Sequence, residues 1–218
     1  MRSRRFRGLL LSAGHVVSRY RTTYVAINVG YYGLVLAAML YVALINPAIQ
    51  ERMLADVQSS LTEGPLATVG GVYLGGNLVG AAVLTFLANL LVGAILTITL
   101  PSLIVPFAGI ALGAYRAVLW GLLLAPTTSQ LALVMIPHSL TLILEGQAYI
   151  LAMLASYVHG MAFLRPQSAG VAGHRQGYLE GARRTGRLYV VVAMVLALAA
   201  VYEAVEVIAM VWLGGGGA

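Results

Sequence analysis

The chain has 218 residues, of which 60% are hydrophobic and only 9% charged. A soluble domain carries about 25% charged residues, so the composition excludes an ordinary water-soluble fold and points to an all-α, polytopic membrane bundle. The net charge of +6 comes from thirteen basic residues, all of them arginine, and there is no cysteine. Disulfides and thiolate metal sites are thereby excluded. With no basic groove carrying interleaved aromatics, nucleic-acid binding is not expected either.

Residues 1–21 read as a cytoplasmic, Arg-rich amphipathic segment, with Phe6, Leu9, Leu10, Val16, Val17 and Tyr20 set among arginines on the inner membrane surface. It lacks the pattern of a cleaved signal peptide, because its long apolar run begins only after Arg21. Residues 22–212 form the membrane domain. Thr22 to Gln50 carry no charged residue, giving a first span over 24–45. Asn46-Pro47 resembles a helix start, and Ile49, Met53, Leu54, Val57 and Leu61 then mark one apolar face, so this loop is read as lying along the membrane.

Gly64 to Tyr115 is again uncharged but too long for one crossing. Pro101 and Pro106 divide it, since proline lacks the helical N–H and clashes with the preceding turn. Spans over 69–98 and 104–124 follow. Their Gly71/Gly75, Gly76/Gly80 and Gly109/Gly113 pairs have the spacing that permits close backbone packing in lipid. Such faces suit an internal bundle or a homo-oligomer. A turn at 126–130 leads to a fourth helical region over 131–163, with Pro137 as a kink, a start or part of a re-entrant turn. The cytoplasmic segment is helical from about 174, and the fifth span covers 188–212. Gly214 to Ala218 are read as a disordered outer tail.

Five crossings put eleven of the thirteen arginines on one side, which the positive-inside bias makes cytoplasmic. The N-terminus is then inside, the C-terminus outside, and the cell membrane the expected location. Counting about 1.5 Å per residue from the span ends places Arg116, Glu145 and Asn77 each about 12 Å below the outer surface, with Glu203 and Glu206 at roughly 13 and 9 Å. Charges at such depth cost about 2.5–3.5 kcal/mol even on lenient scales, so they mark the candidate site.

His138, Glu145 and His159 recur at multiples of seven and share a helix face. Glu203 and Glu206 are neighbours at i, i+3. The expected core pairs Arg116 with Glu145, with Glu203, Glu206, Asn77 and His138 alongside. One arginine does not neutralise three glutamates. The excess calls for a protonated acid, a bound cation or a wet pocket. A register-fixing clasp, an ion or proton pathway, a lipid pocket and catalysis all stay open here. No HExxH, GxSxG or P-loop pattern is present. A non-enzymatic role without cofactor or metal is therefore expected, with the lipid bilayer and other membrane or envelope proteins as partners.

Asn77-Leu78-Val79-Gly80, Gly109-Ile110-Ala111-Leu112-Gly113, Ile136-Pro137-His138-Ser139 and Ala199-Ala200-Val201-Tyr202-Glu203 together resemble, in order, the stage II sporulation protein M family across about residues 20–212. The chain departs from that family at Ser139, where glycine is usual, and in the later placement of Glu145. The resemblance implies a multi-pass scaffold working through partners, with His138 and Glu203 at family-matched positions.

Overall fold

The computed structural model describes residues 2–64 and 66–215, all of whose regular elements are helical. They are α1 (Arg2–Arg19), α2 (Arg21–Leu44), α3 (Ala48–Thr62), α4 (Ala67–Leu74), α5 (Leu78–Ile104), α6 (Ala108–Leu123), α7 (Ser129–Leu164) and α8 (His174–Gly215), with a 3-10 turn at Pro166–Ala169. Four helices are long and apolar enough to cross a membrane: Arg21–Leu44, Leu78–Ile104, Ser129–Leu164 and His174–Trp212. The remaining apolar helix, α6, has 16 residues. Its length of about 24 Å falls short of a hydrocarbon core of about 30 Å. The expected outer tail is helical at Gly214 and Gly215, and 216–218 lie outside the described residues.

The second span begins later than expected. Gly76 takes a left-handed conformation (φ +67°), which glycine adopts without a Cβ penalty. The chain therefore breaks after α4, and α5 restarts with Asn77 as its cap, the side chain accepting from Gly80 N at 2.9 Å. Within α5, Ala88–Thr99 follows π-helical i→i+5 bonding, a rare pattern whose short bulges occur frequently at functional sites. Pro101 does not end the helix; it lies where α-bonding resumes. Pro106 ends it, because proline forces its predecessor out of the helical region, and Val105 is extended (φ −117°, ψ 110°). Phe107 then turns the chain at φ +68°, its ring held against Tyr157. Pro137, by contrast, sits inside an unbroken α7, so 131–137 are helix and form no re-entrant turn.

α7 is the central helix. Ala148 to Leu154 are buried around its whole circumference, and its largest partner is α8. α2 packs chiefly on α6, and α5 on α8. Outward faces keep large apolar side chains exposed, among them Val29, Leu36 and Leu40 on α2 and Val79, Val83 and Leu96 on α5. Lipid solvates such faces without penalty. α1 packs against α8 and contributes Ala13 and Val16 to the core, so part of its apolar face is spent on protein. The Phe6 and Leu9 side chains of that face lie outside the described residues.

The glycine pairs divide in two. On α6, Gly109, Gly113, Ala117 and Gly121 form one buried stripe at four-residue spacing. Gly71, in contrast, faces open space, and Gly76 serves a turn. A Cβ on Gly121 would meet the Ala38 Cβ at 2.6 Å and press on the Val35 carbonyl of α2. Gly121→Ala is expected to cost about 1–3 kcal/mol in mixed-micelle unfolding. Gly71→Ala should cost nothing, and equal effects would contradict this packing.

Candidate functional site

One stripe of α7 supplies much of the site. His138, Thr141, Glu145 and Tyr149 follow at three- and four-residue steps and so share a face. From α6, Arg116 Nη2 donates to the Tyr149 hydroxyl at 2.7 Å, and its guanidinium lies 4.2 Å from the Tyr149 ring centroid and 5.5 Å from that of Trp120. The Tyr149 hydroxyl donates to Asn89 Oδ1 at 2.9 Å, and Asn89 Nδ2 donates in turn to Glu145 Oε1. Glu203 of α8 lies close enough to Glu145 for the two carboxyls to act on each other electrostatically. A hydrogen-bonded chain thus runs Arg116–Tyr149–Asn89–Glu145 across α6, α7 and α5, with Glu203 of α8 beside its end. Two carboxyls brought together in an apolar interior cannot both ionise cheaply, so one proton is expected to be held between them.

Beside it, His138 Nδ1 meets Glu206 Oε1 at 3.0 Å, and Thr141 Oγ1 donates to Glu206 Oε2 at 2.9 Å. The Tyr202 hydroxyl donates to the Pro137 carbonyl at 3.1 Å, adding a third tie between α7 and α8. Glu145 and Glu206 are buried, whereas Glu203 is half-buried.

The expected direct pair between Arg116 and Glu145 is not made. The ion pairs among the described residues are His138–Glu206 and those of Glu180 with Arg183 and Arg184. Tyr149 and Asn89 stand between the two charges instead, because equal depth along two helices does not make their side chains point at each other. Asn77 is not part of the site either. It is exposed, and its side chain is used in capping α5. Asn89 supplies the amide that Asn77 was expected to bring.

His159 lies two heptads, or about four helical turns, beyond Glu145, buried against Tyr178 at 4.6 Å between ring centroids. It is outside the cluster. Thr141 and Tyr149 were legible as neighbours of Glu145 at four-residue spacing, but neither type signals function alone. Among the described residues no group of three or more His, Cys, Asp or Glu side chains is placed to hold a metal ion.

Two adjoining cavities flank the carboxyls. The larger, about 860 Å³, lies under α3 and is walled by Leu54, Val57, Leu61, Tyr73, Val134 and Glu203, among others. The smaller, about 280 Å³, shares Leu54, Leu131, Val134 and Val207 with it and reaches His138 and Glu206. α3 is held over this region by Gln50, which is buried. Its Nε2 donates to the Leu123 and Ala125 carbonyls at 2.8 and 2.7 Å, and its Oε1 accepts from Thr127 at 2.5 Å. The loop expected to lie on the membrane is therefore also anchored to the α6–α7 turn. Its first turn is not capped by the Asn46 side chain, because Pro47 occupies the cap position.

No family model matches the chain, and no curated protein or solved structure does so either.

Proposed function

We propose that this chain is a non-enzymatic, multi-pass scaffold of the cell membrane, similar to the stage II sporulation protein M family, and a component of a larger membrane complex. In this reading α6 is also a crossing, the third of five in chain order, with the N-terminus cytoplasmic and the C-terminus outside. Other membrane or envelope proteins, or further copies of the chain, are its partners. The observation that carries the reading is the hydrogen-bonded chain Arg116–Tyr149–Asn89–Glu145 together with the neighbouring bonds of Glu206 to His138 and Thr141, which tie α5, α6, α7 and α8 to one another. In lipid, where apolar surfaces have little drive to associate, such ties fix helix register. The orientation is supported by Arg19 Nη2 donating to the Ser168 carbonyl at 2.8 Å, which joins the two Arg-rich segments at one end of the bundle.

A second reading, a transporter or channel subunit using the carboxyls as a proton or cation path, is favoured by Glu203 lining the larger cavity beside Glu145. Flux in liposomes separates the two. The scaffold reading expects wild-type protein to carry no proton or cation current above empty vesicles. A current that is lost in folded Glu145→Gln or Glu203→Gln protein would overturn it in favour of the second.

A further inference from the structure

The end of the bundle where the two Arg-rich segments meet carries cations that the scaffold reading leaves unused. Residues 1–21 and 165–187 hold eleven arginines against a single acid, Glu180. Glu180 is already taken, by Arg184 Nε at 3.0 Å and Arg183 Nη1 at 3.7 Å. Three other contacts gather arginines from separate segments on one turn. Arg165 opens the 3-10 turn Pro166–Ala169, and its carbonyl accepts from Ser168 Oγ at 2.7 Å. Arg19 of α1 and Arg184 of α8 donate to the consecutive carbonyls of Ser168 and Ala169, at 2.8 and 3.0 Å.

Carbonyls orient these guanidinium groups without neutralising them. Arg19 and Arg165 are exposed and have no acidic partner among the described ion pairs. Like charges brought onto one turn repel each other, and an anion seated among them removes that cost. A phosphate suits the position, because its oxygens match the guanidinium fork. The apolar surroundings select its carrier. Leu164, directly before Arg165, is 48% exposed, and Leu179 of α8 is 51% exposed. Leu179 shares an exposed face with Arg175 and Arg183 at four-residue steps. A soluble phosphate or a nucleic acid would cover the arginines and leave these leucines bare. A phospholipid covers both, and one with a net negative headgroup brings no cation of its own to the arginines.

We infer that Arg19, Arg165 and Arg184, gathered on the turn Pro166–Ala169, bind the headgroup of an anionic phospholipid whose acyl chains cover the neighbouring exposed leucines. The bound lipid adds a tie between α1 and the α7–α8 junction. The inference needs only that the bundle lies in a bilayer, and it holds whether the chain is a scaffold or conducts.

The test places the purified full chain in phosphatidylcholine vesicles with a trace of spin-labelled phosphatidylglycerol or spin-labelled phosphatidylcholine. Electron spin resonance reads the fraction of each label immobilised on the protein. Phosphatidylglycerol is expected to be preferred, and Arg19→Gln combined with Arg165→Gln should cut the preference by roughly fivefold or more. Adding Ser18→Arg to Arg19→Gln restores the charge of α1 but turns it about 100° around the helix, so the preference should stay as low as in Arg19→Gln alone. Arg52→Gln, exposed on α3, should leave it unchanged. Millimolar inorganic phosphate and a short oligonucleotide should not release the lipid label. The inference is overturned if wild type does not distinguish the two labels, if Ser18→Arg restores the preference, or if either soluble competitor displaces the lipid.

Discussion

Arg116→Met is expected to lower unfolding stability in mixed micelles by roughly 3 kcal/mol or more, the scale of losing one partner from a buried charged network. Its guanidinium is the only cation on the chain Arg116–Tyr149–Asn89–Glu145, and removing it leaves the carboxyl end without an opposing charge. Because the contact is relayed, the signature is coupling rather than the size of the single effect. Glu145→Gln retains an acceptor for Asn89 while removing the charge. Combined with Arg116→Met it should cost less than the sum of the two single variants, by about 1–2 kcal/mol. Strict additivity would mean that the two charges do not sense each other through Tyr149 and Asn89.

The second large effect separates two glutamates only three residues apart. Glu206→Leu is expected to cost about 2–3 kcal/mol, since it leaves His138 and Thr141 facing each other with no acceptor between them. Glu203→Leu is expected to change stability by less than about 1 kcal/mol. Its carboxyl is half-buried beside a cavity, and Glu145 keeps its bond from Asn89 without it. Glu206 is a clasp between α7 and α8 in this account, and Glu203 is not. The reverse order of costs in the same unfolding titration would exchange those roles.

What could be read beforehand follows from which forces are local. Long uncharged runs show the apolar helices, and Pro106 shows where α5 must stop because its effect on Val105 is steric and immediate. The break at Gly75-Gly76-Asn77 is written in turn-forming residues, but it lies inside an apolar run and the hydropathy pattern passes over it. Pro137 is the opposite case: a breaker by type, it is carried by a helix that its neighbours hold together. The π-bonding that begins at Ala88 has no residue signature at all.

At the site, counting residues along each span brought Arg116, Glu145, Glu203 and Glu206 to one level, and the structure bonds Glu145 to Asn89 with Glu203 beside it. Counting fixes height and not direction around the helix. That is why Tyr149 and Asn89, rather than a direct ion pair, lie between Arg116 and Glu145. Gln50 read only as the last uncharged residue before the outer loop. Its role depends on the Leu123 and Ala125 carbonyls, more than seventy positions away in the chain.

The central claim is that one proton is held between Glu145 and Glu203 inside the bundle. Infrared spectroscopy of the purified chain carrying isotopically labelled glutamate reads it directly. The account predicts a protonated carboxyl band at neutral pH that disappears or shifts in both Glu145→Gln and Glu203→Gln, and that persists in a folded Glu51→Gln control. A spectrum in which all glutamates are ionised, or a band unaffected by either substitution, would contradict it.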